Sequence, residues 1–160
     1  MRTTFNDLAP SIREQVVNVL SGRLADGLDL YSQIKQAHWT IRGEGFIALH
    51  ELFDKVASDV LEAVDLIAER IQQLGGSAQG TVRVSAQNSL LPEYPLTITN
   101  PRDHIIAIAS VLSKFNHLLR ENIDYLSALK DSVTADIFTE ILRTLDKDLW
   151  FIESNQESST

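Results

Sequence analysis

Two histidines and three acids carry the most distinctive chemistry in this sequence. His38 and His50 stand on either side of the turn sequence Arg42-Gly43-Glu44-Gly45, and Asp54 follows His50 at a spacing of four. Eleven residues after Asp54 comes Asp65, and Glu69 lies four further on. Residues four apart share a helical face, so His50/Asp54 and Asp65/Glu69 are each a pair able to grip one cation. Imidazole nitrogen combined with carboxylate oxygen suits iron, manganese or zinc, and carboxylates that can bridge suit a pair of iron ions.

Distance sets the next condition. Eleven helical residues separate Asp54 from Asp65 by ~16 Å along the axis, so one ion cannot touch both pairs within one chain. The ligand types are symmetric about the point between Asp59 and Val60. A twofold axis there would lay the segment antiparallel on its own copy, and the His50/Asp54 end of one chain would face the Asp65/Glu69 end of the other. His38 joins the first pair because it precedes the turn by about as many residues as His50 follows it. Each of two identical sites would then collect His38, His50 and Asp54 from one subunit and Asp65 and Glu69 from its partner.

A solvated polar face explains any single pair of this kind, since such spacings are common. It explains five residues obeying both a hairpin and a palindrome much less well. Leu49, Phe53 and Ala68 flank the strip, and unpaired carboxylates beside apolar neighbours are costly. Glu-x-x-His, the motif of self-contained di-iron bundles, is absent, which disfavours a site within one chain. Structural zinc at the twofold remains a rival, because zinc accepts the same ligands. His104 and His117 are read as half-buried packing residues without acids at matching spacing.

The elements that must position these residues are helices. Ile12, Val16, Val19, Leu20, Leu24, Leu28, Tyr31 and Ile34 recur at steps of three and four, predicting an amphipathic helix from Ser11 to about Trp39. The pattern resumes from Phe46 to Ile71 and stops at Gly75-Gly76. Residues 77–100 hold two prolines and no sustained period, which predicts a long crossover with one short helix. Asn100-Pro101 is a cap followed by proline at the first helical position and opens a third long helix to about Leu129; a fourth runs from near Thr134 past Trp150. Four long helices with one long central connection predict an all-α, ferritin-like four-helix bundle of up-down-down-up topology. The 160 residues fit one domain, with residues 1–9 and 154–160 as flexible tails.

Composition narrows the function classes. A net charge of −8 and a pI near 4.9 favour cations over phosphate backbones. Neither "MRTTFNDLAP" nor "FIESNQESST" is a basic arm. No apolar run approaches a membrane span, no apolar signal core opens the chain, and cysteine is absent, so a reducing cytoplasm is the simplest compartment.

With "HWTIRGEGFIALHELFD" followed eleven residues later by "DLIAER", and with "LDKDLWFIES" near the end, the sequence resembles the Dps family, the mini-ferritins named as DNA-binding proteins from starved cells. The resemblance covers nearly the whole chain. It implies a dodecameric shell whose twofold interfaces carry ferroxidase sites on His38, His50, Asp54, Asp65 and Glu69. These would oxidise Fe(II), preferentially with hydrogen peroxide, two ions per site, and ferric mineral would be stored inside. Trp39 would sit beside the site and intercept stray oxidising equivalents; filling the core of the first hairpin explains its presence as well. Acidic threefold pores would admit iron at Asp136, Asp131 and Asp146, and Glu51 and Glu62 would seed mineral. Members that bind DNA commonly use a Lys/Arg-rich tail, which this chain lacks, so the expectation is weak or absent DNA binding; a DNA-compacting protein with secondary metal sites is the competing reading.

Overall fold

The computed structural model describes residues 1–155 and holds five helices among them: α1 (Pro10–Thr40), α2 (Phe46–Gln73), α3 (Val82–Asn88), α4 (Pro101–Ala128) and α5 (Ser132–Glu153). No strand occurs among the described residues, and no helix there is long and apolar enough to cross a membrane. The starts follow their local chemistry. The Asn100 side chain accepts the Arg102 N–H at 2.9 Å ahead of Pro101, and the Asp131 carboxylate accepts the Thr134 N–H at 3.1 Å, each satisfying an orphan donor of the first turn.

Side-chain contacts fix the direction of each helix. Gly43, in the α1–α2 turn, lies against Pro101 at the start of α4. At the opposite end, Arg13 near the start of α1 donates to Leu74 O at 3.1 Å, and Arg70 near the end of α2 reaches Asp131 at the start of α5. Helices α2 and α4 therefore run the same way, and α1 and α5 run against them. This is the expected up-down-down-up order, and residues 77–100 must travel the full length of the bundle to return the chain.

Hairpins α1/α2 and α4/α5 pack with α1 on α4 and α2 on α5, while α3 lies on α1. Phe53, Phe115, Phe138, Leu20, Ile67 and Ile108 are fully buried between them. The crossover is held mainly by polar bonds. Ser85 donates to Ala25 O at 2.7 Å, Leu90 N–H to the buried Asp26 at 2.7 Å, Ser89 to Asp29 at 2.6 Å, and Gln33 to Pro92 O at 2.9 Å. Close approach of the first hairpin requires Gly27, where a Cβ would stand 2.9 Å from a Val64 methyl.

Residues 1–9, expected to be a flexible tail, meet the far end of α2. Arg2 N–H donates to Gly75 O at 2.7 Å and its guanidinium to Gln72 O at 2.5 Å. With Arg13 on Leu74 O, these arginines satisfy carbonyls that a helix end leaves bare. Most of the expected C-terminal tail, residues 156–160, lies outside the described residues.

Candidate metal centre

Gly45, with a φ of 70°, turns the chain into α2 and fixes the register of the first hairpin. That register stacks the His38 and His50 rings, with centroids 3.7 Å apart and planes 20° from parallel. Their backbones lock them reciprocally: His38 Nδ1 lies 2.8 Å from His50 O, and His50 Nδ1 lies 2.9 Å from His38 O. A carbonyl only accepts, so each Nδ1 donates, and neither Nε2 makes a hydrogen bond among the described residues. An imidazole oriented through one nitrogen by a carbonyl, with the other nitrogen bare, is the arrangement of a metal ligand.

Asp54 completes this end. Its Oδ1 lies 3.9 Å from His38 Nε2, and its side chain is 60% exposed, whereas that of His38 is 11% exposed. Neighbouring Phe53 is buried and anchors α2 beneath the site; truncating it to alanine would cost about 3–5 kcal/mol. Lys35, one turn before His38, donates to Asp54 Oδ1 at 2.6 Å. This ammonium, followed by the two imidazoles, holds the Asp54 carboxyl below its usual range against a smaller desolvation effect. Lys35 is the residue that sequence reasoning missed: it is three residues from His38, but only the hairpin register brings it to Asp54.

The other end of α2 is different. Asp65 and Glu69 are exposed and make no ion pair among the described residues, and Asp65 borders an open groove with Ser58, Leu61, Glu62 and Val64. They lie ~16 Å or more along the axis from Asp54. Among the described residues of one chain, no group of three or more histidine, aspartate or glutamate side chains is assembled to hold a metal ion. The chain thus brings together His38, His50 and Asp54 and leaves Asp65 and Glu69 apart from them.

The remaining expected residues divide. Trp39 is 69% exposed, so it does not fill the hairpin core; its ring centroid is 6.0 Å from Lys35 Nζ. Asp131 is buried, caps α5 and accepts from Arg70 at 3.1 Å, so it has no carboxylate to offer a pore. Asp146 and Asp136 are both exposed, and Asp146 is bound to Arg120 at 3.2 Å and Asn116 at 2.9 Å. Glu51 and Glu62 are exposed on α2. His104 is buried and bonded through Nδ1 to the Tyr94 hydroxyl, and burial lowers its pKa and pushes that of Tyr94 up to about 12. His117 departs from expectation: it is exposed and lies 3.4 Å from Glu121, an acid at the i+4 spacing. Its position on the solvent side of α4 gives it a surface ion pair in place of a packing role.

On the face of α2 next to Asp54, Lys55 bonds both Asp59 and the buried Asp148 of α5. Burial pushes the Asp148 carboxyl up to about 6, with the Asp59 carboxylate adding to the rise and Lys55 opposing it. Lys55 is itself pulled down by burial but raised on balance by the two acids.

Comparison with known proteins agrees with this architecture. Residues 17–158 match the ferritin-like domain family. The DNA protection during starvation protein of Agrobacterium fabrum is 40% identical over 98% of this chain and 97% of its own length. DpsC from Streptomyces coelicolor superposes with a TM-score of 0.94 at 28% identity, covering 99% of this chain and 93% of that one. Mycobacterium smegmatis Dps superposes with a TM-score of 0.93 at 28% identity, covering 99% and 96%. A full-length sequence match and a fold that superposes end to end together show that this chain belongs to the Dps family of ferritin-like proteins.

Proposed function

We propose that this protein is a cytoplasmic ferroxidase and iron store that works as a dodecameric shell, with its substrate Fe(II) bound at sites shared across twofold interfaces. The observation that carries the reading is the division of α2 into two unlike ends. At one end, His38 and His50 are each held through Nδ1, and the His38 Nε2 lies 3.9 Å from Asp54. At the other, Asp65 and Glu69 stand exposed without an ion-pair partner among the described residues. An antiparallel pairing of two copies about Asp59 and Val60 joins unlike ends and completes two sites at once.

In such a site the two imidazoles and three carboxylates hold a pair of ferrous ions. Each Fe(II) gives one electron to a single hydrogen peroxide, whose O–O bond breaks to two hydroxides, and the ferric product hydrolyses and is stored as mineral. Supplying both electrons together avoids the one-electron reduction that releases hydroxyl radical. Asp54 enters already ionised because Lys35 stabilises its charge, and the ammonium gives way as the cation arrives. Trp39, exposed beside His38, is positioned to reduce stray oxidant. Asp136 is the strongest remaining candidate for an uptake pore, with Asp146 behind it, and Glu51 and Glu62 remain candidates for mineral seeding. The charge of −8 supports weak or absent DNA binding over DNA compaction.

The test is to load the protein with Fe(II) anaerobically, add peroxide, and follow ferric absorbance in wild type and in His50→Ala/Asp54→Ala. Equal rates would defeat the site assignment.

A further inference from the structure

The reaction proposed above leaves the Lys55 cluster unused. Its ammonium sits between Asp59, one turn further along α2, and Asp148 from α5. Asp148 is fully buried; Oδ1 meets Lys55, and Oδ2 has no hydrogen-bond partner. The Asp59 side chain is 21% exposed and that of Lys55 44%, so solvent reaches the cluster from their side.

Two oxygens that bond the same nitrogen lie within ~6 Å of each other. An ion coordinating oxygen at ~2.0–2.6 Å therefore needs only a small closure of the two carboxylates to bridge them. The charges favour such an ion, because two carboxylates face one ammonium and a buried carboxylate oxygen without a partner is costly. Lys55 also has somewhere to go. Its Nζ is already 5.9 Å from the centroid of the Phe151 ring, which Lys147 approaches at 5.5 Å.

We propose that Asp59 and Asp148 form a second cation site within each chain, where a hydrated divalent ion such as Fe(II) or Mn(II) displaces the Lys55 ammonium from between the two carboxylates. The protein ligands are oxygen alone and water completes the shell, so the site is harder and more exchangeable than the histidine centre. It needs no partner subunit.

Mn(II) tests it without reading iron oxidation, so the result is independent of the ferroxidase proposal. Titrations at pH 7, followed by the electron paramagnetic resonance of free Mn(II), start from Asp65→Asn protein to weaken the interface centre. One Mn(II) per chain should remain. Adding Asp59→Asn should weaken that ion by roughly tenfold or more, and adding Lys55→Met should tighten it by roughly tenfold through removal of a competing charge. Circular dichroism and native mass check each variant; Asp59 is partly exposed, so its substitution tests the site even if Lys55→Met fails to fold. Absence of a retained ion, or an isotherm unmoved by Asp59→Asn, overturns the proposal. So does a Lys55→Met protein that folds and binds Mn(II) as before.

Discussion

The two ends of α2 carry similar ligand chemistry but are built in opposite ways. At the Phe46 end the partner helix does the positioning: α1 supplies His38 to stack on His50, each ring is locked by the other's carbonyl, and Lys35 holds Asp54. At the Gln73 end, Asp65 and Glu69 are exposed and make no ion pair among the described residues. Carboxylates on flexible stems adapt to an ion, whereas imidazoles bind well only when the ring is aimed in advance. The difference teaches that, in the proposed shared centre, the histidine end would set the geometry and the acid end of another chain would supply charge.

Removing the aimed end should have the largest effect. His50→Ala/Asp54→Ala is expected to slow peroxide-driven Fe(II) oxidation by at least ~100-fold, since the loss of first ligands exceeds the 10–100-fold typical of their supporting partners. Asp65→Asn/Glu69→Gln should slow the same assay by roughly 10–100-fold, because water can replace an acid's oxygen but not the ring's orientation. A rate unchanged by the second pair would confine the chemistry to one end and break the comparison.

Lys35→Met sharpens it further. The ammonium beside Asp54 competes with any incoming cation, so its removal should tighten Co(II) binding by roughly three- to tenfold in calorimetry at neutral pH. Weaker binding would mean that Lys35 acts mainly by holding Asp54 in place. The smallest effect concerns the end of the bundle that carries the hairpin. Burial lowers the folded pKa of His104 below its unfolded value near ~6.5, so the unfolded chain takes the proton first and stability falls as pH drops below that value. Denaturant unfolding at pH 7.5 and 5.5 should show a smaller drop in His104→Gln than in wild type.

Much of the bundle was legible because periodicity and caps are local signals. The apolar steps of α1 and α2 and the Asn100-Pro101 start each depend on residues within a turn or two of one another. The meeting of His38, His50 and Asp54 was legible for a related reason: a hairpin is a property of spacing. Contacts that depend on packing were not. Lys35 meets Asp54 across 19 residues, and Lys55 meets Asp148 across 93. The resemblance offered Asp131 as a pore acid, but Arg70 arrives from 61 residues away to neutralise it, so it belongs to the fold. His117 is no packing residue because it stands on the solvent side of α4, where Glu121 at i+4 gives it a surface ion pair. The crossover lacked a period because bonds to Asp26, Asp29 and Gln33 hold it, and polar anchors leave no hydrophobic repeat.

If each centre is completed by a second chain, mixing two impaired variants should restore it. His50→Ala/Asp54→Ala chains keep the acid end, and Asp65→Asn/Glu69→Gln chains keep the histidine end. Co-assembled from equal amounts after unfolding or by co-expression, half of the twofold pairs are mixed and each mixed pair rebuilds one of its two sites. About one quarter of the wild-type Fe(II) oxidation rate should return. If the mixture forms the same assembly yet is no faster than the mean of its two parents, the centre is not shared between chains.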